Sequence, residues 1–465
     1  MRKETDQMGT IELPDNCLYG IATARAIMNF NISEQVVNNR IIHEMVNIKK
    51  QAALCNHELG YLSDEITTAI TLACDQILAG DYRDSFVVCA HQGGAGTSTN
   101  MNVNEVIANK ALQVLGHPCG SYHIIHPINH INLHQSTNDT FPTAVRIAAI
   151  KQLRLVANEY SFLQQTLQQK ETEYGSILKL GRTQMMDAVP MLAGQMFGAQ
   201  ASVISRDRWR LYKVEERLRT MNIGGTAIGT GMNAPLKYTF MMTSKLQQST
   251  NIGLSRADDL IDNTQNVDSF VEVSSLLKVA ATTLIKMAND YRFLASGPHG
   301  GIGEISLKPH QAGSSIMPGK VNPVILEMTI QVAEKIIAND ALITSLATRG
   351  NLELNAFLPG IAEALLESLE LLTNTVHKFN NMCVKNIVVN KDICQQNLER
   401  SMSLITPLIH IIGYDKASWV VKQAQEHQMT IRDILVQEKL FTNKELDQLL
   451  DPLNITKPGI IKGVK

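Results

Sequence analysis

Hydroxyl, amide and glycine residues are concentrated in three short segments that contain few free carboxylates. They cover residues 94–100, 135–139 and 313–322. Hydroxyl, amide and main-chain N–H groups donate hydrogen bonds, and each carboxylate oxygen accepts several such bonds. Lys320, in the third segment, could supply the countercharge for an anion. Taken together, the three segments predict an anion site, of the kind that a dicarboxylate needs.

Each segment also has a purely structural explanation. Ser, Thr, Asn and Gly are frequent in turns and at the first residues of helices, where they satisfy main-chain groups. A single segment would therefore indicate little about function. It is the occurrence of three segments of the same character in one chain that favours an anion site.

The spacing of the glycines excludes two nucleotide-binding motifs. In segment 313–322, five residues rather than four separate the glycines, and Val321 stands where a phosphate-binding loop has Ser or Thr. In segment 94–100, Thr99 stands where a dinucleotide-binding loop has its third glycine. No nucleotide site is therefore predicted from these loops.

A group of histidines precedes the second segment and is the best candidate for a metal site. Pro127 would interrupt a helix carrying them, and Cys119 is the one further ligand type close by. A zinc site needs a fixed set of ligands, which this region does not offer. We therefore expect no bound metal, and expect these side chains at the surface or at the rim of a site. The histidines are His117, His123, His126, His130 and His134.

Long helices are the elements that must position these segments. Aromatic residues make up only 5% of the chain, and apolar residues recur at spacings of three and four between residues 268 and 294. Strict heptads are absent, which favours a helix bundle over a coiled coil. Further long helices are predicted over residues 143–174, 189–221, 322–347 and 356–383.

The last 70 or so residues show shorter helical patterns than the rest of the chain. The stretch from Thr442 to Glu445 has the form of a capping box, in which two side chains bond the first main-chain N–H groups of a helix. We expect it to open a final short helix. This region is predicted to form a small separate domain.

The overall composition is that of an ordinary globular protein. Hydrophobic residues make up 44% and charged residues 18% of the chain, and the formal net charge is −2. We therefore expect neither a nucleic-acid nor a membrane partner. The N-terminus lacks the apolar stretch of a signal peptide, which predicts a cytoplasmic protein. The seven cysteines form no C-x-x-C pair, so reduced and mostly buried thiols are expected.

Segment 313–322, which reads Gly-Ser-Ser-Ile-Met-Pro-Gly-Lys-Val-Asn, resembles the signature loop of the aspartase/fumarase superfamily. Segments 93–105, 135–139 and 181–190 follow the order and spacing of the same superfamily. The resemblance runs from about residue 9 into the C-terminal region, so it covers nearly the whole chain.

The resemblance implies an all-α, mainly helical subunit with three domains. They would cover residues 1–138, 139–390 and 391–465, with the long helices forming a central bundle in the second. Self-association of four subunits would give a homotetramer with a 20-helix core. No organic cofactor is implied.

Within the superfamily, the resemblance implies elimination of ammonia from L-aspartate to give fumarate. Gln184 stands where fumarases have a histidine, and residues 93–98 and 136–138 also differ from the fumarase pattern. Residues 301–304 are closer to fumarases, and His299 and Leu358 depart from the usual family residues. Two alternatives therefore stay open, a class II fumarate hydratase and a related lyase that acts on an N-substituted aspartate.

The superfamily's functional residues have counterparts in this sequence. Ser314 corresponds to the general base that removes the proton from the substrate's Cβ. The donors implied for the β-carboxylate are Thr97, Ser136, Thr137 and Ser315. Those implied for the α-carboxylate are Thr183, Lys320 and Asn322, and those implied near the departing ammonium are Asn138 and Gln184.

Loss of the Cβ proton leaves a carbanion whose charge can move into the β-carboxylate as an enediolate, so preorganised donors would set the rate. Ser314 could act as a base only if main-chain N–H groups of its loop and Lys320 stabilise its oxyanion. Residues 297–322 are expected to form a mobile lid. The resemblance also implies that each site combines loops from three subunits. A helix of about 30 residues separates its ends by about 45 Å, which agrees with this expectation.

Overall fold

The computed structural model describes residues 1–460 and is mainly helical. In the first half of the chain the helices are α1 (Ile21–Asn29), α2 (Asn39–Glu58), α3 (Asp64–Leu78), α4 (Thr97–Val114), α5 (Thr137–Glu173), α6 (Ala193–Leu218), α7 (Leu236–Thr250), α8 (Leu260–Gln265) and α9 (Asp268–Leu294). Those that follow are α10 (Val324–Ala347), α11 (Leu358–Lys378), α12 (Lys391–Arg400), α13 (Ile409–Ile412), α14 (Tyr414–His427), α15 (Ile431–Gln437), α16 (Asn443–Leu449) and α17 (Pro452–Ile455). The predicted all-α class is confirmed.

Short strands form four two-stranded sheets within the described part of the chain. The pairs are β1 (Arg2–Asp6) with β2 (Gly9–Leu13), β3 (Leu178–Thr183) with β4 (Met186–Leu192), β5 (Thr220–Met221) with β6 (Ser255–Arg256), and β7 (Ile305–Ser306) with β8 (Val388–Val389). The β5–β6 pair is parallel and the other three are antiparallel. These small sheets join loops and helix ends without forming a core of their own.

The long helices agree with the prediction except in one region. Helix α9 has the predicted bounds, and α5 begins earlier than predicted, at Thr137. The predicted helix over 189–221 was wrong at its start, because the β3–β4 hairpin occupies residues up to Leu192. A Cβ on Gly181 would lie 2.6 Å from the main-chain oxygen of Val189. This glycine therefore permits the close strand pairing that the helix prediction missed.

Contacts divide the chain into two compact units. The first contains Met1–Ala157, Trp209–Ala281 and Glu334–Thr373. In it, α2, α3 and α4 pack together, and Met45, Ile70 and Val106 are fully buried between them. The side chain of Asn38 accepts a hydrogen bond from the N–H of Arg40 and so caps α2.

The second unit contains Asn158–Arg208, Thr282–Ala333 and the chain from Asn374 onward. Helices α14 to α16 form a core around Leu408, Val420 and Leu435. The predicted capping box is present at the start of α16, although α17 follows it, so α16 is not the last helix. The division into domains 1–138, 139–390 and 391–465 stays a prediction.

All seven cysteines are free thiols, and five of them are buried. Within residues 1–460, no helix is both long enough and apolar enough to cross a membrane.

Candidate active site

Segment 94–100 leads directly into α4, whose first residue is Thr97. Gly96 has φ +94°, and a Cβ there would lie 2.7 Å from the ring of Phe141. Only glycine fits this tight turn. The turn leaves Thr97 exposed at a helix N-terminus, where main-chain N–H groups lack helical partners. The position suits a side chain that donates to an anion.

Segment 135–139 forms the start of α5 and is held by its own hydrogen bonds. The carboxylate of Asp139 accepts from the N–H of Ser136 at 3.1 Å and from the N–H of Thr226 at 3.0 Å. Ser136 Oγ accepts in turn from the N–H of Asn138 at 3.2 Å. Burial raises the pKa of Asp139 to about 7, although the N–H groups of Ser136 and Thr226 favour the carboxylate. Asp139 thus fixes the backbone that presents Ser136.

Pro142 lies inside the first turns of α5 and cannot donate the usual bond to the main-chain oxygen of Asn138. That oxygen accepts instead from Asn222 Nδ2 at 2.9 Å. The side-chain Nδ2 of Asn138 donates to the oxygen of Ala227 at 2.8 Å. Its Oδ1 accepts no hydrogen bond within residues 1–460 and is the atom that an ammonium group could approach.

A buried amide network lies behind Thr137. Asn132 Oδ1 accepts from Lys49 Nζ at 2.8 Å, from Asn100 Nδ2 at 3.1 Å and from Asn104 Nδ2 at 3.2 Å. Asn100 Nδ2 also donates to Thr137 Oγ1 at 3.1 Å. This network joins the first and second segments. Sequence reasoning did not single out Lys49, Asn104 or Asn132, because nothing local distinguishes them from ordinary helix and loop residues.

Thr183 and Gln184 lie at the exposed end of the β3–β4 hairpin. Gln184 has φ +55°, a left-handed conformation that non-glycine residues rarely adopt and that often marks a functional turn. Its side chain borders a cavity of about 760 Å³, which is also lined by Lys179, Arg182 and Met185. The hairpin therefore projects two of the predicted polar side chains into solvent.

The base of this hairpin is fixed by a fully buried carboxylate, that of Glu304. Arg182 donates to both of its oxygens, at 2.6 and 3.0 Å, and Lys179 Nζ lies 3.4 Å away. Asn397 Nδ2 from α12 adds a bond at 3.2 Å. Burial alone would raise the pKa of Glu304, but the Arg182 hydrogen bonds and the Lys179 charge lower it below its ordinary value. Glu304 thus ties the hairpin to the segment that precedes the signature loop.

The signature loop, residues 313–322, is closed by hydrogen bonds between its own two ends. The N–H of Gly313 donates to the oxygen of Lys320 at 2.8 Å, and Asn322 Nδ2 donates to the oxygen of Gly313 at 2.9 Å. Ser314 Oγ accepts from the N–H groups of Ile316 and Met317 at 3.2 and 3.1 Å. Two donors therefore already point at this hydroxyl oxygen.

The surface of the signature loop is largely exposed. Ser315 and Lys320 are exposed, and the side chain of Ile316 is 84% exposed. Lys320 and Asn322 line a cavity of about 510 Å³, together with Arg292, Lys308 and other residues of the same unit. Met317 and Val321 of the same loop are also exposed, and such a group of exposed apolar side chains is suited to pack against another surface.

The structure brings the predicted residues together in three groups. Ser136, Thr137 and Asn138 start α5, and Asn100 links them to the helix that begins at Thr97. A second group, Thr183 and Gln184, lies at the hairpin end. The third is the signature loop, with Ser314, Ser315, Lys320 and Asn322. Within residues 1–460, no hydrogen bond joins the hairpin end to the signature loop.

Two of the histidines that sequence analysis considered for metal binding make structural contacts. His126 Nδ1 accepts from the N–H groups of Ile128 and Asn129 and caps the π-helical turn Pro127–Ile131. His130 Nδ1 accepts from the N–H of His126 at 3.0 Å. Among residues 1–460 no three His, Cys, Asp or Glu side chains are grouped so that they could hold a metal ion.

Comparison with known proteins identifies the family. The model of the lyase family matches residues 9–338, and that of the fumarase C C-terminus matches residues 404–457. The chain is 41% identical over 460 residues to an aspartate ammonia-lyase from a Bacillus species, covering 99% of this chain and 98% of the relative.

Solved structures agree with this assignment. A fumarate lyase:delta crystallin from Brucella melitensis, with bound cobalt, superposes with a TM-score of 0.95 at 41% identity, covering 98% of this chain and all of the other. A class II fumarase from Schistosoma mansoni superposes with a TM-score of 0.93 at 31% identity, covering 98% of this chain and 99% of the other. The chain therefore belongs to the lyase family and is a member of the aspartase/fumarase superfamily.

Proposed function

We propose that the protein is an aspartate ammonia-lyase, which eliminates ammonia from L-aspartate to give fumarate. The observation that carries the proton-removal step of this proposal is the geometry of Ser314. Its Oγ accepts hydrogen bonds from two main-chain N–H groups of the same loop. Such donors favour the charged form of the hydroxyl. They would let a serine remove the Cβ proton.

The reaction begins when the Ser314 alkoxide removes a proton from Cβ of L-aspartate. The electron pair left on Cβ delocalises into the β-carboxylate and forms an enediolate. Thr97, Ser136, Thr137 and Ser315 would donate to its oxygens, where negative charge increases. The electron pair then returns to form the Cα=Cβ bond, and the Cα–N bond breaks to release ammonia.

The remaining predicted residues would hold the other end of the substrate. Lys320 supplies a positive charge and Asn322 and Thr183 supply polar groups for the α-carboxylate. Asn138 Nδ2 already donates to Ala227, and Oδ1 of the same amide, which has no partner among residues 1–460, could accept from the amino group. Gln184 at the hairpin end adds a further amide. These roles follow the superfamily pattern residue by residue.

Two other reactions use the same enediolate. A class II fumarase adds water, and a related lyase would release an N-substituted leaving group. Gln184 favours the ammonia-lyase, since it stands where fumarases have a histidine. The high identity to a Bacillus aspartate ammonia-lyase favours the same reaction. The departures at His299 and Leu358 keep the N-substituted substrate as the second candidate.

We also propose that the enzyme is a cytoplasmic homotetramer, with the lid and the three-subunit site of its superfamily. Apolar side chains exposed on the long helices support self-association, because soluble proteins usually cover clustered apolar surface. Helices α5 and α6 carry Phe162, Trp209 and Tyr212, each more than half exposed. The dicarboxylate and ammonia would be its small-molecule partners.

The three candidate reactions can be separated with purified protein. Fumarate supplied with ammonium should yield L-aspartate, whereas fumarate in water alone should yield no malate. Product identification by NMR distinguishes the two directly. Malate as the main product would show that the protein is a fumarase instead. Turnover of an N-substituted aspartate, but not of L-aspartate, would favour the second candidate.

A further inference from the structure

Lys49 is a buried cation in the middle of α2. Its side chain is 1% exposed. The one hydrogen bond that its ammonium makes within the described chain goes to Asn132 Oδ1, at 2.8 Å. Burial lowers the pKa of Lys49 to about 7, although the negative charge of Asp139 opposes this. A buried ammonium is unfavourable unless it is paired, so its position beside the amide network calls for an explanation.

Asn132 receives three donors at one oxygen. Lys49, Asn100 and Asn104 all donate to its Oδ1. A protonated lysine can only donate, so it fixes which end of the Asn132 amide faces inward. The opposite end, Nδ2, then donates to the main-chain oxygen of Gln135 at 3.1 Å. The cation thereby sets the direction of every bond around this amide.

The donor-to-acceptor direction set at Asn132 also determines the hydrogen bond between Asn100 and Thr137. Asn100 Nδ2 donates both to Asn132 Oδ1 and to Thr137 Oγ1, the latter at 3.1 Å. The Thr137 oxygen acts as an acceptor in this bond. Its own hydroxyl proton is therefore free to be donated elsewhere. A threonine that donated to Asn100 instead would have no proton left for a substrate.

We propose that Lys49 is a positioning residue, whose buried charge acts through Asn132 and Asn100 to make Thr137 a hydrogen-bond donor to the substrate's β-carboxylate. The inference rests on the proposed function, in which Thr137 stabilises the enediolate. It adds a residue that touches no substrate yet sets the donor strength of the site. Bonds in such a network polarise one another, and the charge at its end strengthens them.

The first test, made at about pH 6 so that Lys49 is protonated, replaces Lys49 by methionine, which keeps most of the side-chain length and removes the charge. The Lys49→Met enzyme should lose about 10- to 100-fold in kcat for L-aspartate, less than the loss of about 100- to 1,000-fold that removal of a direct donor can cause. Lys50→Met is the matched control. Lys50 is the next residue of α2 and pairs with Asp75 outside the network. An unchanged kcat in Lys49→Met would overturn the proposal.

A double-mutant cycle separates positioning from general stability. If Lys49 acts through the Thr137 hydroxyl, adding Lys49→Met to Thr137→Val should lower kcat little further, because that hydroxyl is already gone. Residues that act as one unit show such non-additive effects. A role in stability alone would reduce kcat by the same factor in both backgrounds. Additive losses would therefore refute the link to Thr137.

Asn132→Leu keeps the test decisive if Lys49→Met does not fold. The leucine removes the oxygen that accepts from Lys49 and Asn100, so the charge of Lys49 no longer reaches Asn100 and Thr137. It should show a kcat loss similar to that expected for Lys49→Met, and near-normal turnover would refute the role of Asn132. If the wild-type enzyme hydrates fumarate and leaves L-aspartate unchanged, the proposed function fails. The ratio of kcat in each variant to kcat in the wild type, measured with fumarate and water, then still tests the role of Lys49.

Discussion

The hydroxyl of Ser314 needs support to hold negative charge, because a serine alcohol is a weak acid in water. Two main-chain N–H groups provide it at 3.1 and 3.2 Å. A backbone donor needs no reorganisation when charge appears, since the closed loop already fixes its direction. The bonds from Gly313 to Lys320 and from Asn322 to Gly313 hold that loop closed. The residues that close the loop therefore support the chemistry of Ser314, because they fix the main-chain N–H groups that bond its oxygen.

Ser314→Ala tests this role of the hydroxyl. Removing a general base lowers turnover by about 100- to 10,000-fold, so kcat should fall by that order while succinate still binds. Ser306→Ala is a suitable control, because Ser306 lies in the same region and its hydroxyl bonds Asn390 instead. The measurements are steady-state kinetics and calorimetric titration with succinate. Near-normal turnover by Ser314→Ala would remove this residue from the mechanism.

The polar segments could be recognised from the sequence because their residue types are concentrated locally. Ser314, Lys320 and the residues around Thr137 stand out for this reason. Their supporting residues could not be recognised, since each acts across a long stretch of chain. Lys49 reaches Asn132, 83 residues later, and Arg182 reaches Glu304, 122 residues later. Composition within a segment carries no information about such pairs.

Among the elements, the β3–β4 hairpin was the one that sequence periodicity placed wrongly. Long helices such as α9 were predicted well, because a buried helical face repeats every three to four residues. The hairpin has two short strands and a turn with Gln184 at positive φ, so no long repeat marks it. Its position depends on the pairing of Arg182 and Lys179, within the hairpin, with Glu304, which lies 122 residues after Arg182 in the sequence.

The buried cluster of Arg182, Lys179 and Glu304 predicts how the stability of the protein changes with pH. The pKa of Glu304 is lowered on folding from an ordinary value near 4.5, so the unfolded chain binds the proton more tightly. Its contribution to stability is therefore full above that value and is lost as the pH falls through the folded-state pKa. The thermal midpoint of the wild type should fall more, between about pH 5 and about pH 3, than that of Glu304→Gln.

The same variant should show a second effect at neutral pH. Glu304→Gln leaves the ammonium of Lys179 buried without a carboxylate, and breaking a buried pair costs about 3–5 kcal/mol. Its unfolding midpoint in urea should therefore be lower than that of the wild type. The exposed pair of Lys422 with Glu426 offers a control, because Glu426→Gln should change the midpoint little.

The pH prediction has its own contradicting outcome. If the thermal midpoint depends on pH equally in the wild type and in Glu304→Gln, the cluster of Arg182, Lys179 and Glu304 does not set acid stability.

At the scale of the whole molecule, the length of the helices bears on how the active site is built. Helix α5 has 37 residues, which corresponds to a length of about 55 Å. The segment around Thr137 starts this helix, and Thr183 lies ten residues beyond its end. The exposed apolar side chains at the hairpin end and on the signature loop, such as Met185 and Ile316, offer surfaces for other chains. These features support the proposal that loops from three subunits meet in each site.

Mixed tetramers give a direct test of the three-subunit site. Ser314→Ala and Thr183→Ala are each expected to be inactive as pure proteins. If a site takes these two residues from different chains, random assembly from equal amounts should make about a quarter of the sites intact. Activity should therefore reappear after the two proteins are unfolded together and refolded. As a control, Ser314→Ala mixed with Lys320→Ala should stay inactive, because both changes lie in the same loop and every site then carries one defect. If the first mixture stays as inactive as the control, although mass spectrometry shows mixed tetramers, the site does not draw Thr183 and Ser314 from different subunits.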